Sequence, residues 1–347
     1  MRRTRGKFFF QRCATRLGAP RPGPASRLMP FVLIGFLTLP FFACPPVSAQ
    51  ANPQIELQRA LTFVQKGQFS EAINTAKPLI DSGALHGAEL GRSWALLGFT
   101  YREQGSFGPA RHALDQSIAL LDHNPDFVDD YAVALDYLAT LDRDESQLDA
   151  AQHVWLKALK ICQARRNHAF IAVTYRHLAE LELRQHRVHP AKKYFQKATS
   201  EVSLAGDWPL QDRAAYALTQ GWLALEEKHS TEAVQAYERS LELYRTGYGD
   251  SHFLTGWAYV LLGDARSQAG QVEEALRNMR QGVAILDRAL GRQNPMYWVA
   301  QIAYSQVLDV AGSHSAASQL RESGQEALKN LYQQQCLGCA VSVSSLH

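Results

Sequence analysis

Apolar residues recur every three or four positions along residues 53–335, and the helices this spacing predicts come in pairs. One pair shows the pattern. The first helix carries Trp94, Leu97, Gly98 and Tyr101 on one face, and the second carries Ala110, Ala113, Leu114, Ser117 and Ile118. Between them Gly105 suits the left-handed turn that ends a helix, and Pro109 suits the first turn of the next. No alternating strand pattern of useful length appears before the C-terminal tail.

The pair returns at a near-constant interval. Alanines open second helices at Ala72, Ala110, Ala151, Ala191, Ala233, Ala275 and Ala317, spaced 38, 41, 40, 42, 42 and 42 residues apart. Twelve residues before each lies another small residue: Ala60, Gly98, Ala139, Ala179, Gly221, Gly263 and Ser305. Seven residues after each lies Leu79, Ser117, Ala158, Ala198, Ser240, Gly282 or Gly324, and only Leu79, in the outermost unit, is large. Antiparallel helices approach closely only where side chains are small. Gly98 against Ala110 is therefore expected to close the hairpin, and Ser117 to form the contact to the next unit. Pro125, Pro209 and Pro295 fall in the connections, where a helix must stop. Length alone suggests about two compact domains, but a fixed period overrides that prior. The expected fold is all-α, about seven antiparallel hairpins stacked over residues 50–335.

The residues Trp94, Leu97, Gly98, Tyr101 and Ala110 resemble the tetratricopeptide repeat, as do Leu262, Gly263, Gly270 and Ala275. The later units are longer than the usual repeat, similar to the long-helix variant in kinesin light chains. The resemblance covers residues 53–335 and departs from the pattern at Asp142 and Arg321. It implies a right-handed α-solenoid whose concave groove is lined by the first helix of each unit. In that register Phe99, Arg102, Asp136, Thr140, Arg143, Arg176, Glu180, Arg184, Leu218, Trp222, Leu225, Trp257, Val260 and Asp264 face inward. Arginine pairs bidentately with carboxylate and tryptophan offers large contact area, so this surface would suit a peptide with an acidic group and an apolar anchor. The competing reading has the charges merely solvated and Trp222 or Trp257 packed between units. The Lys and Asn pattern that clamps C-terminal carboxylates in some co-chaperone members is absent.

Charge divides the chain. Residues 1–30 hold eight basic residues and no acid, and residues 31–49 hold no charge. The remainder carries five more acids than bases, which argues against a nucleic-acid partner. The apolar run 31–43 is shorter than the roughly 20 residues needed to span a bilayer. Basic segment, apolar run and small residues in that order predict a secretory signal over residues 1–49, cut after Ala49. An uncleaved anchor is the variant. A loose lipoprotein box at "FFAC" would instead acylate Cys44. A membrane partner is expected only in those two cases; otherwise the protein is exported to the periplasm or beyond.

Candidate chemistry is sparse. His168, His177, His186 and His189 cluster in sequence, but zinc needs three or four ligands converging on one point and no cysteine accompanies them. Cys336 and Cys339 in the tail, residues 336–347, give half a zinc site; a local disulfide suits an exported protein better. Cys162 lies beside Ile161 on an apolar face and is expected to be a buried thiol. No nucleophile elbow, zincin, Walker or dinucleotide motif occurs in residues 50–347. No catalytic residue, metal or cofactor is expected. The expected function is a non-enzymatic protein-binding scaffold or adaptor in the cell envelope. The alternative is an envelope redox accessory, or a membrane-tethered assembly factor, using the Cys336 and Cys339 pair. A sensor or export component taking a small ligand or peptide in the groove is the third.

Overall fold

The computed structural model describes residues 52–335, apart from 123 and 207. The leader with Cys44 and the tail with Cys336 and Cys339 lie outside the described residues. Among the described residues the chain forms seven antiparallel helical hairpins and no strand. The first joins α1 (Pro53–Gln65) to α2 (Phe69–Asp81), and the second joins α3 (Gly87–Gln104) to α4 (Phe107–Leu121). The third and fourth are α5 (Val128–Asp144) with α6 (Leu148–Ala164), and α7 (His168–Arg184) with α8 (Val188–Ala205). The fifth and sixth are α9 (Leu210–Glu226) with α10 (Ser230–Tyr248), and α11 (Phe253–Gln268) with α12 (Val272–Leu290). The last joins α13 (Pro295–Val310) to α14 (His314–Gln335).

The small residues hold each hairpin shut at two points. All seven repeat alanines are almost fully buried. A Cβ added at Gly98 would stand 2.6 Å from Leu114 and 3.2 Å from the Ala110 carbonyl, so only glycine lets α3 and α4 cross there. The second crossing corrects an expectation. Ser117 does not reach the next unit; its hydroxyl donates to the Gly91 carbonyl of its own hairpin at 2.7 Å. Ser240 does the same to Ala214 at 2.9 Å. A Cβ on Gly282 would lie 2.6 Å from the Gly256 carbonyl. The reason is antiparallel geometry. Seven residues back along one helix and seven forward along the other are both two turns, so the pair meets again.

The hairpin turns share a backbone state. Gly67, Gly105, Ser146, His186, Lys228, Gly270 and Gly312 occupy equivalent positions, each with positive φ. At Gly105 the turn closes through Ser106 N–H to the Tyr101 carbonyl at 2.8 Å and Gly105 N–H to Arg102 at 2.9 Å. Three turns adopt the left-handed state without glycine, at some conformational cost.

Successive hairpins stack second helix on first, and the two ends of the stack meet. Phe69 packs edge-on against Phe253 with ring centroids 5.4 Å apart. Asn294 Nδ2 donates to the Glu103 carbonyl at 2.8 Å. Phe107 stacks on Tyr332 at 6.0 Å, within an apolar cluster that also holds Ile302 and Leu328. Gly105 faces Pro295 so closely that a Cβ would lie 2.6 Å from its ring. The first two hairpins are thus closed onto the last two, and the first helices line the inside. No helix among the described residues is long and apolar enough to cross a membrane.

Candidate functional site

A band of alternating charge runs across the inner helices α3, α5, α7 and α9. Arg102 of α3 pairs with its neighbour Glu103 and with Asp144 of α5, the latter at 2.8 Å. Arg143 holds Asp144 at 2.8 Å and reaches Glu180 of α7 at 3.3 Å. Glu180 also accepts from Arg176 at 2.6 Å and from the Thr219 hydroxyl of α9 at 2.5 Å. Arg176 donates onward to His177 Nε2, and His177 Nδ1 donates to Asp136 at 2.9 Å. Asp136 accepts a second bond, from Trp155 Nε1, at 2.9 Å. The α5 and α7 backbones approach less closely than α3 and α5 or α7 and α9. Side-chain pairing spans that wider gap.

Burial makes these charges depend on one another. Burial pushes the Asp144 carboxyl up, but Arg143 and Arg102 outweigh it and hold it at about 2. Burial also raises Glu180, yet Arg176, His177 and Arg143 bring it to about 2. His177 is pulled below the usual imidazole range by burial and then by Arg176, against the pull of Asp136. A neutral ring with its proton on Nδ1 fits both of its hydrogen bonds. Two charges beside the band behave differently. Asp212 of α9 is raised by burial to about 6, only partly offset by Arg176. Arg184, exposed to the water inside the ring, is lowered first by desolvation from the surrounding walls and then by Arg143.

The residues expected in the groove separate into two groups. Arg102, Asp136, Arg143, Arg176 and Glu180 are joined in the band, and Arg184 stands beside it. Phe99 lies 5.0 Å from Tyr137 and under the Arg102 guanidinium at 5.3 Å. Trp222 is half-buried against Ala179, Leu183 and Leu223, and Trp257 packs on the cluster of Phe253 and Val260. Asp264 sits outside the network, accepts from Gln268 at 3.0 Å, and is raised by burial. Cys162 is a buried thiol pushed up to about 12, first by burial. The histidines diverge. His168 binds Glu201 at 2.7 Å, His177 binds Asp136, and His186 lies 3.6 Å from Glu226. Among the described residues no three such groups converge as metal ligands would.

Glu103, Asp144, Asp212 and Thr219 belong to the site and were not singled out from the sequence. A signal for Asp144 and Thr219 existed. Arg102 and Asp144 are 42 residues apart, Asp136 and His177 41, and Thr219 and Glu180 39. Complementary polar residues one repeat length apart face each other across stacked units.

Comparison with known proteins bears on the same geometry. A tetratricopeptide repeat family model matches residues 212–288, which fall within α9 to α12. A Rap conjugation gene regulator of the plasmid pLS20, solved in complex with the Phr* peptide, superposes at a TM-score of 0.66. It is 16% identical, and the match covers 84% of this chain and 77% of that one. The fold is a tetratricopeptide-like solenoid. A Rap protein complexed with competence and sporulation factor is also similar, at TM-score 0.60 and 11% identity, covering 81% of this chain and 78% of that one. A kinesin light chain protein of Podosopora anserina is similar over 58% of this chain and 95% of that one, at 18% identity and TM-score 0.42. By sequence, no curated protein matches the chain.

Proposed function

We propose that this protein is a non-enzymatic scaffold that binds a peptide or protein segment on the concave face of its solenoid, in the cell envelope. The observation that carries the reading is the band itself. Inner helices of a solenoid need only solvated polar residues, yet these place buried, mutually paired charges around a water-exposed Arg184. Buried Arg102 and Arg176 each keep an Nε without a hydrogen-bond partner. Such groups favour an incoming polar ligand over water alone. The two Rap proteins of similar fold were each solved with a bound peptide or factor, which supports a polypeptide occupant. Export rests on the order of basic, apolar and small residues in the leader.

Selection from a displayed random-peptide library against residues 50–347 tests the reading. Enriched peptides should lose affinity with Phe99→Ala and with Trp222→Ala, both checked for helicity. They should keep it with Lys193→Glu on α8, at a pocket on the outer layer. Loss only with the α8 variant, or no enrichment, would count against it.

A further inference from the structure

The inner band has two charges that nothing in the ring satisfies. The side chain of Arg184, at the end of α7, makes no hydrogen bond or ion pair with another described residue, and neither does the side chain of Asp212 in the first turn of α9. Each stands among charges already committed to other partners. Around Arg184 stand Arg143, Asp144, Glu180 and Tyr332; Arg143 is already shared between Asp144 and Glu180. Near Asp212 stand Arg176, Asp136, Tyr244 and Tyr248, and Arg176 is committed to Glu180 and His177. An anion would relieve the repulsion between Arg184 and Arg143. A cation would relieve the half-buried carboxylate of Asp212.

The register fixes their separation. Helices α7 and α9 are first helices of successive hairpins, run parallel, and touch. The Thr219 to Glu180 hydrogen bond sets the level. Arg184 lies one turn beyond Glu180, and Asp212 lies two turns before Thr219. At 1.5 Å per residue, the two charges stand about 16 Å apart along the groove. An extended chain rises about 3.3 Å per residue, so about five residues span that distance.

We infer that the occupant is an extended polypeptide segment carrying an acidic and a basic group about five residues apart, its carboxylate held by Arg184 and its cation by Asp212. This rests on the concave-binding reading and adds the pair of charges the ligand carries and their spacing. A nucleic acid or a simple anion supplies only one of the two signs and leaves Asp212 unpaired.

The same library, displayed with blocked peptide termini, supplies the test. Peptides enriched on the wild type should share one acidic and one basic residue at a separation near five. Arg184→Glu and Asp212→Lys should each weaken an enriched peptide at least tenfold while leaving the helical melt in place. The double variant Arg184→Glu/Asp212→Lys should again enrich peptides with one acidic and one basic residue at that separation. Peptides lost with Trp222→Ala yet indifferent to both charge variants would overturn the inference and leave concave binding standing. Peptides indifferent to Trp222→Ala and Phe99→Ala as well would overturn both.

Discussion

The third and fourth hairpins and the fifth and sixth share one backbone plan but line the ring with different chemistry. In α5 and α7 the inner positions hold Asp136, Arg143, Asp144, Arg176 and Glu180, locked pairwise. In α9 and α11 the corresponding positions include Trp222 and Trp257, packed into apolar clusters. Both regions close their hairpins on equivalent small residues, Ala139 and Ala151 in one, Gly221 and Ala233 in the other. The repeat spacing therefore decides where helices may touch, and the inner face is free to vary. Where it carries interlocked charge, stability and binding share the same residues.

That difference can be broken by mutation. Glu180→Ala should cost about 3–5 kcal/mol, because it takes the ion-pair partner from buried Arg176 and leaves Arg143 to Asp144 alone. Trp222→Ala, half-buried in the other region, should cost about 2 kcal/mol. Urea unfolding of both variants would show whether the charged region is the more brittle one. A larger loss at Trp222 would contradict the contrast.

Acid should act on the charged hairpins first. Asp144 and Glu180 both have folded pKa values near 2, below the ordinary carboxylate range. Their contribution is present above about pH 5 and is lost as pH falls toward 2, by a few kcal/mol in all. Circular dichroism melts from pH 7 to pH 2.5 should show a steep loss in the wild type and a shallower one in Glu180→Ala.

Asp212 has the opposite sign. Its folded pKa of about 6 lies above the unfolded value, so the folded state binds the proton more tightly. Its penalty is absent below about pH 4, grows through pH 6, and is full above it. Asp212→Asn should therefore stabilise the protein by about 1–2 kcal/mol at pH 7.5, after allowance for its partial exposure, and by nothing near pH 4. A residue that weakens the free protein and is not needed by any partner within it is well placed to serve a ligand.

The smallest effect concerns the turns. Lys228 holds a left-handed conformation with φ of 64°, where four equivalent turns have glycine. Lys228→Gly should raise stability by about 0.5–1 kcal/mol in thermal unfolding.

Much of the architecture was legible from spacing, because the small residues recur with the period of the structure itself. Gly98, Ala110 and their equivalents close the hairpins as expected. The Ser117 contact was placed in the wrong direction, since spacing along one chain does not say which neighbour a small residue meets. Ring closure left no signal. Asn294 and Glu103 are 191 residues apart, and their contact occurs once, with no period to reveal it. The inner band was half legible. The register pointed to Arg102, Asp136, Arg143, Arg176 and Glu180, whereas Asp144 and Thr219 emerge only when neighbouring repeats are laid side by side, and Glu103 only from its pairing with the adjacent Arg102. Asp212 follows from none of these, because it is defined by the partner it lacks.

Site-specific photocrosslinking tests concave binding most directly. A benzophenone side chain in place of Phe99 looks into the band beside Tyr137 and Arg102. One in place of Lys193 looks out from the α8 layer. With an enriched peptide as probe, adducts should form from position 99 and not from position 193, and Arg184→Glu should abolish them. Adducts from position 193 alone would contradict a ligand held inside the ring.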